Sequence, residues 1–76
     1  MRRKQKSVIA HIGGAIRKRR KDLGMSLEDL ADASDLSFAH LSCVERGKSR
    51  ISADRLYWVA LALKTTVSTF YKGLPQ

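Results

Sequence analysis

Closely spaced helix start and stop signals limit the fold of this chain more than any other feature. Glycines stand at positions 24 and 47, where a left-handed residue can end a helix, and the N-cap candidates Ser26 and Ser52 follow them. Another N-cap candidate, Ser37, closes the turn-forming segment 34–37. The spacing from Ser26 to Asp29 fits a capping box. These signals predict an all-α chain with short helices after each serine, joined by tight turns.

The segment before Gly24 has the period of an amphipathic helix that begins near Ser7. Ile9, Ile12 and Ile16 recur at helical spacing, and Arg20 falls on the same apolar stripe. A guanidinium on a core-facing stripe needs an acceptor, because a buried charge without a partner is strongly unfavourable. We therefore expect Arg20 to have a buried carboxylate partner.

Two more helices are predicted after Ser52, which makes five. The first buries an apolar face that repeats at i, i+3, i+4 and i+7, formed by Leu56, Val59, Ala60 and Leu63. The second is short, covers about residues 67–72, and starts after Thr66. Residues 7–76 are thus predicted to form a single domain. Residues 1–6, with four positive charges and no apolar pattern, are predicted to be a flexible basic arm that either tracks a groove of a binding partner or stays solvated.

The charge balance indicates the class of partner. Fifteen Lys and Arg against seven Asp and Glu give a formal charge of +8, which favours a polyanion such as nucleic acid. A chain of 76 residues buries a limited core, so we expect a second copy to contribute apolar surface in a homodimer. The single Cys43 cannot form an internal disulfide, and no signal peptide or membrane-length segment is evident, so a cytoplasmic location is expected.

No catalytic or metal-binding constellation emerges from the sequence. The chain has no nucleophile with a plausible base, no glycine-rich phosphate loop and too few residues to enclose a substrate pocket, so we expect neither an enzyme nor a cofactor. His40 and Cys43 lie one helical turn apart, but a structural zinc needs four ligands and only His11 is a comparable third candidate. No metal is therefore expected.

Two short helices joined by three or four residues in a cationic domain are typical of a helix-turn-helix. The more specific signals are IRKRRKDLGMS at 16–26, LA at 30–31, LS at 41–42, VERGK at 44–48, IS at 51–52, and Leu56, Val59, Ala60 and Leu63. Over about residues 9–74 the chain resembles the Xre/Cro-type helix-turn-helix regulators, which include the lambdoid phage repressors. The resemblance implies a compact, lambda-repressor-like five-helix fold with the helix-turn-helix at helices two and three, and an ion pair between Arg20 and Glu45.

The resemblance also implies a DNA-binding transcriptional regulator that acts as a homodimer on an inverted-repeat operator, with residues 37–46 in the major groove. The expected base-facing residues are Ser37, Phe38, Ala39, His40, Ser42, Cys43 and Arg46. The expected phosphate contacts are Arg17, Ser26, Lys48, Ser49 and Arg50. Leu27 departs from the family, which usually has a phosphate-binding Gln there. Because no Gln or Asn lies in the reading helix, apolar contact of Phe38 or Ala39 with thymine methyl groups is expected.

Four large side chains are predicted to form the dimer interface: Tyr57, Trp58, Leu61 and Tyr71. They lie where relatives commonly pair, although Trp58 and Leu61 could instead cover one end of the core. The alternative function is an antitoxin-like module that uses this apolar surface to bind a protein partner. Phage repressors, Cro-like switches and restriction-modification controllers of this size all occur in the family, and the sequence leaves that choice open. Neither a small-molecule ligand nor a membrane is expected as a partner.

Overall fold

The computed structural model describes residues 2–74, which are all-helical with no strand among them. Helix α1 spans Arg2–Asp22, α2 spans Leu27–Ser34, α3 spans Phe38–Glu45 and α4 spans Ala53–Ala62. A 3₁₀ helix, Val67–Tyr71, follows α4. Within this part of the chain no helix is at once long enough and apolar enough to cross a membrane.

The prediction of a fifth α-helix is wrong. The structure has four α-helices and one short 3₁₀ helix, Val67–Tyr71. The segment has a low α-helix propensity, because Val67 and Thr69 are β-branched and Ser68 favours caps and turns. Its hydroxyl groups bond to one another: Thr65 Oγ1 donates to Thr69 Oγ1 at 2.9 Å, and the Thr66 and Ser68 hydroxyls lie 2.9 Å apart. Five residues rich in such side chains give the tighter 3₁₀ turn rather than an α-helix.

The predicted start of the first helix is also wrong. Helix α1 begins at Arg2 rather than near Ser7, so residues 2–6 of the predicted arm are its first turns. The physical reason is composition, since Arg, Lys and Gln are good helix formers and no Gly or Pro interrupts this segment. Met1 of the predicted arm, and Pro75 and Gln76 at the predicted end of the domain, lie outside the described residues.

The core lies between α1, α3 and the 3₁₀ helix on one side and α2 and α4 on the other. The large apolar side chains that are essentially inaccessible to solvent are Ile16, Leu30, Leu41, Val44, Leu56, Val59, Leu63 and Phe70. The inward face predicted for α4 is therefore confirmed. Burying these side chains supplies the main driving force for the fold.

Close backbone contact joins α1 to α3. A Cβ added to Gly13 of α1 would collide with the carbonyl oxygen of Val44 in α3, so glycine lets the two helices approach closely. After α3 the chain turns through Gly47 at φ +73°, and this glycine packs against Ala10 of α1. The position of α3 and of the loop that follows is thus determined by α1.

A three-residue connection links α2 to α3. Ser34, at the buried end of α2, donates its hydroxyl to the Leu30 carbonyl at 2.7 Å. Asp35 then adopts the left-handed conformation at φ 57°, and Ser37 caps α3 by accepting a hydrogen bond from the His40 amide at 3.3 Å. These local contacts give the tight turn that the serine and aspartate pattern predicts.

Candidate nucleic-acid interface

Helix α3 presents one open face. Only Leu41 and Val44 are buried, and the stripe formed by Ala39, Ser42, Cys43 and Arg46 lies on the opposite side at i, i+3, i+4 and i+7. Ala39 and Arg46 are exposed, while Ser42 and Cys43 are partly exposed. Phe38 is exposed at the margin of this stripe. The stripe is the part of α3 most open to a macromolecular partner.

His40 differs from the other residues that the sequence predicts to face bases. Its ring atom Nε2 is buried and has no hydrogen-bond partner among the residues that the structure describes. The end of the ring therefore points into the protein and not along the outward stripe of α3. Ser37 is exposed, but its hydroxyl is occupied by the cap on α3.

The side chain of Arg46 lies back along α3. Its Nε donates to the Ser42 carbonyl at 3.3 Å, and one terminal nitrogen lies 3.8 Å from Cys43 Sγ. Both contacts are long and exposed, so little energy holds the guanidinium against the helix. Arg46 can therefore extend from the end of the stripe toward an acceptor.

The Arg20 and Glu45 side chains form the ion pair that the sequence analysis expects. Arg20 Nε and Nη2 donate to the two carboxylate oxygens at 2.8 and 2.9 Å, and Nη1 donates to the Met25 carbonyl at 2.8 Å. The hydrogen bond to Glu45 raises the pKa of Arg20 above its ordinary value. Because this carboxylate is turned inward and neutralised, the outward stripe of α3 carries no negative charge.

Cations flank the end of α3. Lys48 and Arg50 are exposed in the loop between α3 and α4, Ser49 is partly exposed beside them, and Arg17 is exposed on α1. Arg50 Nη2 donates to the side-chain oxygen of Gln5 on α1 at 3.2 Å. The loop that the sequence predicts to contact phosphates is thus tied to the first turns of α1.

The N-terminus of α2 is occupied by its own capping box, as predicted. The Asp29 amide donates to Ser26 Oγ and the Ser26 amide donates to Asp29 Oδ2, both at 3.0 Å. These hydrogen bonds lower the pKa of Asp29, so its carboxylate is ionised at neutral pH. Leu27 is partly buried against the core. A phosphate at Ser26 would have to displace the Asp29 carboxylate and approach the exposed Glu28.

Four exposed acidic residues lie on α2 and the residue after it, Glu28, Asp29, Asp32 and Asp35. They make up most of the seven carboxylates in the chain. The negative charge is therefore concentrated along α2, whereas the loop after α3 and α1 carry cations.

The predicted dimer residues are solvent-exposed. Tyr57, Trp58 and Leu61 each expose about half of their surface on α4, and so does Tyr71 on the 3₁₀ helix. The Tyr57 and Trp58 rings meet edge to face with centroids 5.3 Å apart. The exposed halves of these side chains are available to a partner.

Two contacts have no signal in the sequence. Gln5 reaches Arg50 across 45 residues. Arg19 donates to the carbonyls of Leu63 and Lys64 at 2.9 and 3.2 Å, which holds the end of α4. Helical periodicity shows which face of α1 is apolar, but it does not identify the distant backbone that a polar side chain meets.

Among the described residues no group of three or more His, Cys, Asp or Glu could hold a metal ion.

Comparisons with known proteins agree on one class of protein, the helix-turn-helix regulators. The model of the helix-turn-helix family HTH_3 matches residues 16–70. A relative from Rhodospirillum rubrum, named as an uncharacterised transcriptional regulator in the ATPase CF(0) region, is 42% identical over 91% of this chain. The chain spans 64% of that relative's length.

Solved structures give the same result. The clp gene regulator ClgR from Corynebacterium glutamicum superposes with a TM-score of 0.80 at 36% identity, covering 83% of this chain and 67% of that one. The restriction-modification controller protein C.Esp1396I, solved as a tetramer with its natural 35 base-pair operator, has a TM-score of 0.78 at 26% identity over 86% of each chain.

Proposed function

Because this chain belongs to the helix-turn-helix family HTH_3, we propose that it regulates transcription by binding double-stranded DNA with α3 in the major groove. One observation carries the proposal. Helix α3 buries two side chains and leaves an outward stripe without negative charge, and cations lie at its end. The major groove is wide enough to admit an α-helix, and its base edges are distinguishable by side chains.

The outward stripe of α3 is the base-reading surface in this proposal. The small side chains of Ala39, Ser42 and Cys43 let the helix approach closely, Ala39 can meet a thymine methyl group, and Arg46 can reach guanine acceptors. Phe38 at the margin is a second candidate for contact with thymine. We assign Ser37 and His40 a smaller part, since the Ser37 hydroxyl caps α3 and the end of the His40 ring is buried.

Phosphate contacts come from Lys48, Ser49 and Arg50 in the loop after α3, with Arg17 on α1. Ser26 stays a weaker candidate, because its amide is already bonded to Asp29. With about six to ten phosphates neutralised per complex, the affinity should fall by about three to five decades between 50 and 200 mM salt.

Selection of bound duplexes from a random pool tests the proposal and returns the operator. On the selected duplex, Ala39→Glu should weaken binding by about tenfold or more, because it replaces a contact worth about 1–3 kcal/mol with a repelled carboxylate. Thr66→Glu makes the same charge change at the exposed residue before the 3₁₀ helix and should bind like the parent. The proposal is refuted if no sequence is enriched, or if both variants bind equally.

A homodimer on an inverted repeat is the assembly that we propose. Tyr57, Trp58, Leu61 and Tyr71 offer exposed apolar surface, and a two-fold pairing would hold two copies of α3 about 34 Å apart, one turn of DNA. The tetrameric operator complex of C.Esp1396I gives independent support for self-association in this family. Sedimentation of a Trp58→Ala, Leu61→Arg variant should report a halved mass, and an unchanged mass would count against this interface.

The same surface suits the alternative function, an antitoxin-like module that binds a foreign protein. Purification of the native complex separates the two. A stoichiometric foreign protein bound through Trp58 and Leu61 would favour the alternative, whereas a pure dimer of the chain supports the regulator.

A further inference from the structure

We propose that the first turns of α1 form a second contact with the DNA backbone, in which Lys4 and Arg50 bind phosphates beside the site read by α3 and Gln5 positions Arg50. The inference deepens the proposed function and rests on it. The ligand is the sugar-phosphate backbone of the strand that passes the end of α3.

Lys4 and Arg50 lie at the same open groove, which has a volume of about 410 Å³. Its polar lining comes from Lys4 and Gln5 of α1 with Ser49 and Arg50 of the loop, and the rest of the lining is aliphatic, from Val8, Ile9, Ile12, Val44 and Ile51. Gln5 accepts a hydrogen bond from Arg50 at 3.2 Å. This amide is neutral and occupies one of the five N–H donors of the guanidinium, so the charge and most donors of Arg50 remain available.

The charges along this groove favour an anion. Among the side chains that the structure describes, the two ion pairs are Lys18 with Asp22 and Arg20 with Glu45, so no carboxylate pairs with Lys4 or Arg50 there. Four of the seven carboxylates lie instead at residues 28–35. Two cations that line one groove repel each other in the free protein, and a bound anion relieves that repulsion.

Packing fixes the loop and the first turns of α1 relative to α3. The loop packs on α1 through Gly47 and Ala10, and α1 packs on α3 through Gly13 and Val44. Lys4 is therefore carried on an element whose position relative to α3 is set by backbone contacts. A cation held in register with the reading helix loses less conformational freedom on binding than one on a loose arm.

Lys4→Gln tests the inference, with Lys6→Gln as the matched control. Both variants remove one exposed charge from the same helix, but Lys6 lies about 200° around the axis from Lys4 and does not line the groove. Affinity for the selected duplex is measured by fluorescence anisotropy between 50 and 200 mM salt. The proposed dimer has two copies of Lys4, so Lys4→Gln should reduce the slope of log K against log salt by about 1.8, a loss of about twelvefold in salt sensitivity over this range. Lys6→Gln should leave the slope unchanged.

Phosphate ethylation interference identifies the contact directly. With the wild-type chain, ethylation of a phosphate flanking the bases read by α3 should inhibit binding, and Lys4→Gln should abolish that inhibition. Gln5→Glu adds a readout for positioning: the new carboxylate would hold Arg50 as an ion pair, so DNA binding should weaken while the thermal melt is unchanged or raised.

The outcomes separate the two proposals. If the wild-type chain enriches no duplex, the proposed function fails and this inference with it. If the wild-type chain binds its operator but Lys4→Gln and Lys6→Gln have equal slopes and the same ethylation pattern, the inference alone is overturned.

Discussion

Glu45→Ala would leave the Arg20 guanidinium in a nearly closed site with a single acceptor. In the folded chain Arg20 donates to both oxygens of Glu45 and to the Met25 carbonyl. The side chains of Arg20 and Glu45 are only 12% and 5% exposed. After the substitution water has little access, so two donors of a charged group lose their partner.

The expected loss of stability is large for a domain of this size. Breaking a buried ion pair by removing one partner costs about 3–5 kcal/mol. At about 0.05–0.15 kcal/mol per residue, the whole domain is stable by roughly 4–11 kcal/mol. Glu45→Ala should thus remove at least about a quarter of the stability and lower the melting temperature by about 12 °C or more.

Urea and thermal denaturation followed by circular dichroism measure the effect, at one chain concentration for all variants because a dimer would link stability to concentration. The control is Asp22→Ala, which removes the partner of Lys18 at 3.3 Å, where the two side chains are 80% and 56% exposed. That change should cost less than about 1 kcal/mol. An Arg20→Met, Glu45→Leu double variant should recover most of the loss. Equal denaturation midpoints for Glu45→Ala and Asp22→Ala would refute the reasoning.

Three further predictions follow from the structure. Gly13→Ala should destabilise the fold by about 1–3 kcal/mol through collision with the Val44 carbonyl, whereas Gly14→Ala, with open space around it, should stabilise α1 by up to about 1 kcal/mol; urea denaturation of both variants checks the contrast. The pKa of Asp29 is lowered in the folded chain, so its ionised carboxylate stabilises the fold above the unfolded pKa near 3.8. This stabilisation is lost as the pH falls through the folded pKa. The difference in melting temperature between the wild type and Asp29→Asn should therefore shrink from pH 5 to pH 3. Glu28→Gln should raise the affinity for DNA by up to about fivefold at low salt, and the gain should vanish at high salt; an unchanged affinity in an anisotropy titration would place the DNA backbone away from the start of α2.

The short-range parts of the fold are evident from the sequence. The caps at Ser26 and Ser37 mark where α2 and α3 begin, because a serine hydroxyl bonds to an amide only three residues away. The inward positions of α3 and α4 follow from helical periodicity. The same period places Arg20 on an apolar stripe, which demands a carboxylate, and the family resemblance identifies Glu45.

Two local predictions fail, one about the type of a helix and one about where a helix begins. The 3₁₀ helix at Val67–Tyr71 has an apolar pattern compatible with an α-helix, and its hydroxyl contacts appear only in the folded chain. The first helix is predicted to begin near Ser7, yet the helix propensity of residues 2–6 and their continuity with α1 extend it to Arg2.

The chain's own sequence determines where α2, α3 and α4 form, where α2 and α3 are capped and which family the protein joins, because those properties depend on residues a few positions apart. Only the tertiary structure decides that Gln5 meets Arg50, that Arg19 holds the end of α4 and that the His40 ring points inward. Such contacts join residues far apart in the chain or depend on how packed helices orient a side chain, so they arise only when the core brings these elements together.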